Sequence, residues 1–516
     1  MPRSPAGAGR TMVAASVAWA GAESEWMDTP PAPALTRDLP AAPAVAARAP
    51  VAALAALAAV TAVPMAATPA RTAPLAATTT SAAPSPSFGA LLCALAPALD
   101  LAEARPGGHA VRASWIGQQL GRAIGLPTRS LRAAWLTLLL KDLGGSQTGP
   151  EIHRLLAVDD LAFKQAWRTP APPRPLAVAL AWRGAGGLAA LRLLARGRAL
   201  AHRLADSRAA AGARLARALV PGEDVPAALA TLDAHWDGRG TPAGLAGEDI
   251  PHLARVAALA QALDLAFVRG GPEAAMALAR RQRGRAFDPA LCDTMLALGQ
   301  DVAFWRRLDD DELALALVAA EPAPQPLDDD ALDAVARVFG QAADAKSRHT
   351  AGHSERVAQR ADEIAARLGL DLAHRRWLRR AALLHDLGVL GVSTALLDAT
   401  GPQDAAAREA RNAHAALTET LLAGCPPLKA LARIAGAHHE RLDGAGYPRG
   451  LDARHLRLET RIIRCADRYD ALVSGRAAHP ARSADAALAL MQGEVGSHID
   501  ADCLLALRAA LAGPPR

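Results

Sequence analysis

The sequence predicts a mostly α protein in which two tandem helical bundles follow an N-terminal segment without regular structure. Three observations predict this fold class. Apolar residues make up 51% of the 516 residues, but aromatic residues make up only 3%. Good helix formers (Ala, Leu and Arg) dominate the chain, whereas runs of β-branched residues are scarce. The third observation is an internal repeat whose two copies both show helical periodicity.

The predicted organisation has three parts. Residues 1–87 are a mixture of Pro, Ala, Thr and Ser in which no helical or strand period persists, so we expect this segment to be disordered. Ordered structure is expected to begin near Phe88. The first folded domain is predicted at 88–320 and the second at 321–516. The composition of segment 319–330 (AAEPAPQPLDDD) predicts a linker that also caps the next helix.

The repeat rests on four matches that occur in the same order in both copies. His109 in the first match and Asp142 in the second are 33 positions apart, as are His353 and Asp386. An Ala/Arg-rich segment near 170–215 lengthens the first copy. The matched segments are 108–126 with 352–370, 138–145 with 382–389, 235–245 with 441–451, and 258–266 with 463–471.

The second copy contains histidines and acids that fall in, or at the ends of, separate predicted helices. Rigid helices of a bundle can direct such side chains to one internal point. Imidazole and carboxylate without thiolate suit iron, manganese, zinc or, less well, magnesium. Because the set exceeds the four ligands of a tetrahedral zinc, we expect two or more divalent metals, which activate water and stabilise a phosphoryl displacement. The residues are His353, His385, Asp386, His414, His438, His439 and Asp467.

The first copy acts as an internal control for this set. Taken singly, each histidine has an alternative interpretation as a structural or exposed residue. In the first copy, however, scaffold positions such as Asp142 and Gly240 are kept while most candidate ligands are replaced, so the helical framework alone does not require the histidines. The positions of His385, His438, His439 and Asp467 are taken by Lys141, Leu232, Asp233 and Gln261.

Residues 349–510 resemble the HD-GYP domain, a subgroup of HD-superfamily phosphohydrolases that degrades cyclic di-GMP. The motifs that carry the resemblance are HTAGHSERVA (349–358), LLHDLG (383–388), HAALTETLL (414–422), HHERLDGAGYPRGL (438–451) and CADRYDALVSGR (465–476). The resemblance implies an HD-type helical bundle with two or three iron or manganese ions. It also implies hydrolysis of cyclic di-GMP to linear pGpG, to GMP, or to both. The first copy resembles the degenerate half of tandem members, and we expect it to bind no metal.

Roles for individual residues follow from the same resemblance. The seven residues named above become metal ligands, and His385 and Asp386 become the catalytic pair, with Asp386 bridging two metals and positioning the attacking hydroxide. His349 is either an additional ligand or an exposed residue at the start of a helix. The loop glycines would allow φ > 0 and close passage of the backbone near the substrate. The implied substrate-binding residues are Asp443, Gly444, Gly446, Tyr447, Pro448, Arg449, Arg461 and Arg476.

The second copy departs from the family pattern at two places. Val389 stands where the family has the lysine of HDxGK, and residues 476–479 read RAAH where the family has RPYR. Both departures concern the grip on substrate phosphate. They keep two alternatives open, namely a signalling module that binds cyclic di-GMP without cleaving it and a phosphohydrolase for another nucleotide phosphoester.

Composition also bears on partners and compartment. Arginine is spread along the chain despite a net charge of +6 and a pI near 9.4, so we expect no nucleic acid polymer as partner. The apolar segment 51–67 is too short for a confident membrane span and is broken by Pro64. Five scattered cysteines without a CxxC pair favour a reducing compartment, and we expect a cytoplasmic protein. Self-association, or a signalling partner that binds the first domain, remains open.

Overall fold

The fold is helical throughout the part of the chain that the structure describes. This computed structural model describes residues 86–167, 187–477 and 479–513. Among these residues the only β pairing consists of isolated bridges, so the mostly α prediction is confirmed. The predicted disorder of the N-terminal segment lies outside the described residues, except for its last two positions. None of the described helices is both long enough and apolar enough to cross a membrane.

The first half is built from eleven described helices and two short 3-10 turns. Helix α8 contains non-helical backbone at Gly270 and Gly271, followed by Pro272, so it is two helices joined at a kink. The 3-10 turns are Gly145–Thr148 and Gly247–Asp249. The helices are α1 (Phe88–Ala102), α2 (His109–Ala123), α3 (Thr128–Leu140), α4 (Gly149–Leu156), α5 (Asp160–Trp167), α6 (Gly187–Arg217), α7 (Asp224–Ala230), α8 (His252–Gln282), α9 (Pro289–Leu298), α10 (Val302–Leu308) and α11 (Leu313–Ala319).

The second half follows a similar order with nine described helices. Its first helix begins directly after Asp328, whose carboxylate accepts a hydrogen bond from the backbone N of Ala331, as the acidic cap predicts. The 3-10 turns are Leu387–Gly391 and Pro426–Leu428. The helices are α12 (Asp329–Asp344), α13 (His353–Arg367), α14 (Leu372–Leu383), α15 (Thr394–Leu397), α16 (Ala405–Ala423), α17 (Lys429–Ala435), α18 (Leu458–Ser474), α19 (Ala484–Gly493) and α20 (Ala501–Leu511).

The Gly-His pair that opens both copies has a backbone explanation. Gly108 precedes α2 with φ of 76°, and Gly352 precedes α13 with φ of 69°. Both values lie in the left-handed region, where a side chain costs energy and glycine does not. The following histidine is therefore the first helical residue in each half, and its side chain is buried.

The two halves share one apolar core. Within each half the second helix packs on the third and on the long helix near the end, α8 or α18. The halves meet reciprocally, because α1 contacts the turn Leu387–Gly391 and α12 contacts the turn Gly145–Thr148. Buried apolar side chains from both halves form one continuous cluster. The predicted boundary near residue 320 therefore separates two repeats that pack as one body, and its position stays a prediction.

Candidate metal centre

Seven side chains from separate elements of the second half converge at one place. His353 opens α13, His414 lies in α16 and Asp467 lies in α18. The His385-Asp386 and His438-His439 pairs lie in the short connections just after α14 and α17. The histidine rings form a connected cluster in which neighbouring centroids are 4.1 to 5.3 Å apart. The structure thus brings together all seven residues that the sequence selected.

Asp386 lies between two groups of ligand atoms. Its Oδ1 is 3.3 Å from Nε2 of His438 and 3.5 Å from Nε2 of His414. Its Oδ2 is 3.5 Å from Nε2 of His385 and 3.7 Å from Nε2 of His353. One carboxylate therefore presents one oxygen to each group, which is the arrangement that a residue bridging two cations requires.

Three of the histidine rings are oriented by a hydrogen bond at Nδ1, the ring nitrogen that does not face Asp386. His385, His414 and His438 each place Nδ1 at 2.7 Å from the carbonyl oxygen of the residue three positions earlier in the chain. A carbonyl only accepts hydrogen bonds, so Nδ1 carries the proton and Nε2 keeps its lone pair. Nε2 of His414 and Nε2 of His438 are 3.3 Å apart. Two lone pairs at this distance repel each other unless a positive charge lies near both.

His353 is held by a carboxylate instead of a carbonyl. Its Nδ1 lies 2.7 Å from Oδ2 of Asp470, whose other oxygen accepts a hydrogen bond from Nε of Arg356 at 2.6 Å. Burial and the nearby Arg476 guanidinium both oppose a charge on His353, yet hydrogen bonds to Asp467 and Asp470 raise its pKa to about 9. The surroundings of this ring therefore stabilise positive charge.

Three other histidines, His385, His414 and His439, are kept neutral. Burial lowers the pKa of His385 to about 4 and lowers the pKa of His414 below its ordinary value. Burial and the adjacent His438 hold the pKa of His439 well below its usual range. For Asp386, burial favours the protonated form, but the surrounding histidines, His385 first, hold its pKa far below normal. Neutral imidazoles around an ionised carboxylate are the protonation states that bind a metal.

These residues fit a site for two divalent cations. The ligand atoms of Asp386, His414, His438 and His439 lie within 4.8 Å of one another, as do those of His353, His385 and Asp386. Nε2 of His385 is buried and has no hydrogen-bond partner, which is costly for a polar atom unless something binds it. Both groups share Asp386. Asp467, whose Oδ1 is 3.3 Å from Nε2 of His353, adds a carboxylate to the second group.

A cavity opens onto this centre and is rich in arginine. Asp386, His414, His439 and Asp467 form part of its wall, beside the apolar side chain of Val389. The arginines on the wall are Arg411, Arg464, Arg468, Arg476 and Arg482. Such a surface attracts anions and suits phosphate, which arginine can bind through two N–H groups.

Only two of the predicted substrate-binding residues line this cavity, Tyr447 and Arg476. The ring of Tyr447 packs 4.8 Å from that of His439, and Nη1 of Arg476 donates to the backbone oxygen of His349 at 3.3 Å. His349 also lines the cavity, although neither group of ligand atoms includes it. A role for His349 as an extra ligand stays a prediction.

The other predicted substrate residues lie away from the cavity wall and have partners within the protein. Arg449 pairs with Glu419, and Nη1 of Arg461 donates to Asp500 at 3.0 Å. A Cβ on Gly446 would lie 2.5 Å from the backbone N of Arg441, so this glycine serves close backbone packing. Gly240 has the same role in the first half. Substrate contact by Asp443, Gly444, Gly446, Pro448, Arg449 and Arg461 stays a prediction.

The equivalent place in the first half is occupied by charged side chains of the protein. Lys141, at the position of His385, pairs with Asp142. Arg208 is buried, pairs with Asp233 and has Nη1 4.0 Å from Oδ1 of Asp142. Every group of metal-binding type found among the described residues lies in the second half. His109 makes the same kind of contact as its counterpart His353, since its Nδ1 lies 2.6 Å from Oδ2 of Asp264.

Asp470 and the cavity arginines other than Arg476 are functional candidates that sequence reasoning missed. A signal for Asp470 was present, because QALDL (261–265) and DRYDA (467–471) are equivalent segments and both have an aspartate at the fourth position, Asp264 or Asp470. Each aspartate orients the histidine that opens the second helix of its half, His109 or His353. Arg411, Arg464 and Arg468 belong to ordinary helical patterns and reach the cavity only through the packing of α16 and α18.

Comparison with known proteins agrees with this geometry. The HD domain family matches residues 197–291 and 337–503. The 3'3'-cGAMP-specific phosphodiesterase 3 of Vibrio cholerae is 40% identical over 431 residues, covering 82% of this chain and 94% of that protein. The crystal structure of the V. cholerae cyclic GMP-AMP phosphodiesterase V-cGAP3 matches with a TM-score of 0.57 and 36% identity, over 84% of this chain and 99% of that one.

Another relative matches a shorter part of the chain. The cyclic di-GMP phosphodiesterase response regulator RpfG of Xanthomonas campestris is 36% identical over 160 residues, which is 31% of this chain and 42% of that protein. The metal-dependent chemistry expected from the sequence is therefore supported by the similarity along the chain and by the geometry of the site. The chain belongs to the HD domain family, as a tandem HD-GYP-type metal-dependent phosphohydrolase.

Proposed function

We propose that the second half hydrolyses a 3′–5′ phosphodiester bond of a cyclic dinucleotide. The observation that carries the proposal is the Asp386 carboxylate, whose two oxygens face two separate groups of histidine Nε2 atoms. The proposal is supported by relatives that are cyclic dinucleotide phosphodiesterases. It also draws on the cavity arginines, which provide positive charge beside that carboxylate.

The leading substrate is 3'3'-cGAMP. It is favoured because the relative that aligns along nearly its whole length is specific for this dinucleotide. Cyclic di-GMP, which the sequence motifs suggest, is the second candidate and is favoured by relatives that match 29% to 31% of the chain. The first product is the linear dinucleotide, which is pGpG for cyclic di-GMP, and further cleavage yields mononucleotides such as GMP.

The proposed metals are iron or manganese, held in two groups. His414, His438 and His439 would hold one ion, and His353, His385 and Asp467 would hold the other, with Asp386 shared. Bound divalent metals lower the pKa of water towards neutrality and stabilise charge on the oxygens of a phosphoryl displacement. A set of imidazoles and carboxylates without thiolate is consistent with either metal.

The protein's own residues orient and grip the substrate. Arg411 lies one helical turn before His414 on α16, lines the cavity and has no carboxylate partner among the described residues. Arg476 lies against the His353 ring, with Nη2 3.2 Å from Nδ1. These two arginines take over the phosphate contact that Val389 cannot make. Tyr447, packed on His439, forms an aromatic wall against which a base can stack.

The first half is proposed to bind no metal, because Lys141 and Arg208 already supply positive charge to Asp142 and Asp233. Its role is then to support the second half. All five cysteines are free and buried, which suits the reducing cytoplasm that the sequence suggests.

One experiment tests the function. Full-length protein is purified without oxygen, its iron and manganese are measured, and its products from 3'3'-cGAMP and cyclic di-GMP are followed by chromatography. We expect Asp386→Asn to lose metal and turnover. The matched control is Asp142→Asn, at the equivalent position of the first half, which keeps both.

The alternatives give other results. Tight nucleotide binding without products would favour a signalling module. Turnover of a different nucleotide phosphoester, with neither cyclic dinucleotide cleaved, would assign another phosphohydrolase activity. Equal turnover by Asp386→Asn and wild type would overturn the assignment of the site.

A further inference from the structure

The contact between the two halves contains a fully buried carboxylate, Asp160, at the start of α5. Its Oδ2 accepts a hydrogen bond from Nζ of Lys346 at 2.6 Å, and both side chains are 0% exposed. Its Oδ1 accepts a hydrogen bond from the backbone N of Thr394 at 2.7 Å. The Thr394 hydroxyl donates to the Lys346 carbonyl at 3.0 Å. One side chain of the first half thus joins two segments of the second.

Both of these segments lead to the active cavity. Lys346 directly precedes Ser347, which lines the cavity together with His349. Thr394 follows the turn Leu387–Gly391, which begins directly after Asp386. The two segments are also joined to each other, since the Ser347 hydroxyl donates to the Asp398 carboxylate. A shift of either segment would therefore move the wall of the cavity or the bridging carboxylate.

The second half makes no equivalent contact with the first half through the corresponding positions. The positions of the first half that correspond to Lys346 and Thr394 are Ala102 and Pro150. Ala102 has no ammonium group and Pro150 has no backbone N–H, so the second half cannot make the reciprocal contact. The first half is also shaped to receive this segment, because a Cβ on Gly149 would lie 2.5 Å from the Thr394 hydroxyl oxygen.

Stability alone does not require such a pair. Removing two charges from water costs several kcal/mol per ion, and well-packed apolar residues at such places are often as stable or more so. A buried pair fixes geometry instead, because its hydrogen bonds tolerate little displacement. Because Asp160 contacts the half that carries the metal centre, the fixed geometry can hold segments of that site in place.

We propose that Asp160 of the first half is a positioning residue for the active site of the second half, acting through Thr394 and Lys346. The inference rests on the phosphodiesterase function proposed above. It gives the first half, in which no group of metal-binding type is found among the described residues, a role in the reaction. The working enzyme is then the tandem, since the second half alone lacks the acceptor that holds its Thr394 backbone N–H.

Two double variants of the full-length chain separate positioning from packing. In Asp160→Asn/Lys346→Met the charges of this pair are gone, whereas the buried Lys164, 4.0 Å from Asp160, keeps its partner Glu103; the asparagine oxygen can still accept the Thr394 N–H. In Asp160→Leu/Lys346→Met the branched shape of the side chain is kept and the acceptor is lost. We expect the asparagine variant to keep kcat close to the wild-type value. We expect the leucine variant to lose about 10-fold to 100-fold in kcat, the effect of a misplaced catalytic group, at unchanged metal content.

The experiment has a control variant and an alternative variant that removes the same hydrogen bond. Asp159→Asn changes the exposed neighbour of Asp160 and leaves kcat unchanged. If the leucine variant does not fold, Thr394→Pro removes the same N–H, and proline is well tolerated at this first position of α15. Equal kcat for the asparagine and leucine variants, or for Thr394→Pro and wild type, overturns the inference. Wild-type protein without turnover would instead overturn the proposed function.

Discussion

Arg208 of the first half occupies the position that His414 occupies in the second half. A Cβ on Gly144 would lie 2.1 Å from the backbone oxygen of Arg208, and a Cβ on Gly388 would lie 2.1 Å from that of His414. The same close backbone approach thus brings a guanidinium into one site and an imidazole into the other. In the first half, positive side chains of the protein pair with the carboxylates. In the second half, histidine Nε2 atoms face the carboxylate and could bind a metal.

This relationship predicts the behaviour of His414→Arg. We expect the variant to fold, because the first half holds an arginine in the same surroundings, but to lose at least one metal per chain and its turnover. Metal analysis and circular dichroism of the purified variant check the prediction. Arg208→Lys is the control and keeps the wild-type metal content. A His414→Arg protein with full metal content would show that His414 is not a ligand.

Asp470 is expected to tune metal affinity without touching the metal. Its carboxylate orients His353 through Nδ1, and loss of such a partner typically weakens metal binding about 10-fold to 100-fold. Asp470→Asn should therefore raise the metal Kd by this factor in a competition titration with a chelator. Asp264→Asn removes the same contact from His109 and should leave the metal Kd unchanged. Equal effects of the two variants would indicate a general loss of stability.

Arg411 is expected to bind substrate in the ground state and the transition state alike. Arg411→Ala should raise KM about 10-fold with a smaller change in kcat, as loss of uniform binding does. Arg449→Ala is the comparison, because Arg449 pairs with Glu419 and does not line the cavity. Steady-state kinetics on the cleaved dinucleotide distinguishes them. A larger KM effect for Arg449→Ala would instead favour the substrate role that the sequence motif implies.

Lys346 predicts a pH dependence of stability. Burial lowers its pKa from 10.5 to about 8, although Asp160 opposes the shift. Between pH 8 and 10 the unfolded chain then binds more protons at this lysine than the folded protein does, so this group adds stability as the pH rises. Against Asp160→Asn/Lys346→Met, the free energy of unfolding of the wild type should gain about 2 kcal/mol over this interval.

Denaturant unfolding of both proteins at several pH values measures that difference. A difference that is constant, or that falls between pH 8 and 10, would show that the folded protein keeps Lys346 charged throughout.

Much of the fold and all seven candidate ligands that the structure brings together could be selected from the sequence, because both leave local patterns. Helical periodicity marks α13, and the repeat shows which of its positions serve the scaffold. His385 and His438 could be selected because Lys141 and Leu232 replace them in an otherwise similar copy.

Other features could not be predicted, because they depend on tertiary packing. The equivalence of Arg208 and His414 is hidden by the longer first copy, which shifts the alignment between the second and third matched segments. The contact of Asp160 with Lys346 joins positions 186 residues apart. The motif loop was assigned to the substrate, yet Gly446 and Arg449 make contacts within the protein. A motif identifies residues that a family keeps, whether they serve chemistry or the shape of a loop.

Two cations are expected to share the Asp386 carboxylate. Anomalous scattering at the iron and manganese edges, from crystals of protein purified without oxygen, locates such ions. We expect two peaks about 3.5–4 Å apart, one beside each oxygen of Asp386, and no peak beside Asp142. A metal-loaded, active protein with no peak at Asp386, or with its peak at Asp142, would show that the ions bind elsewhere.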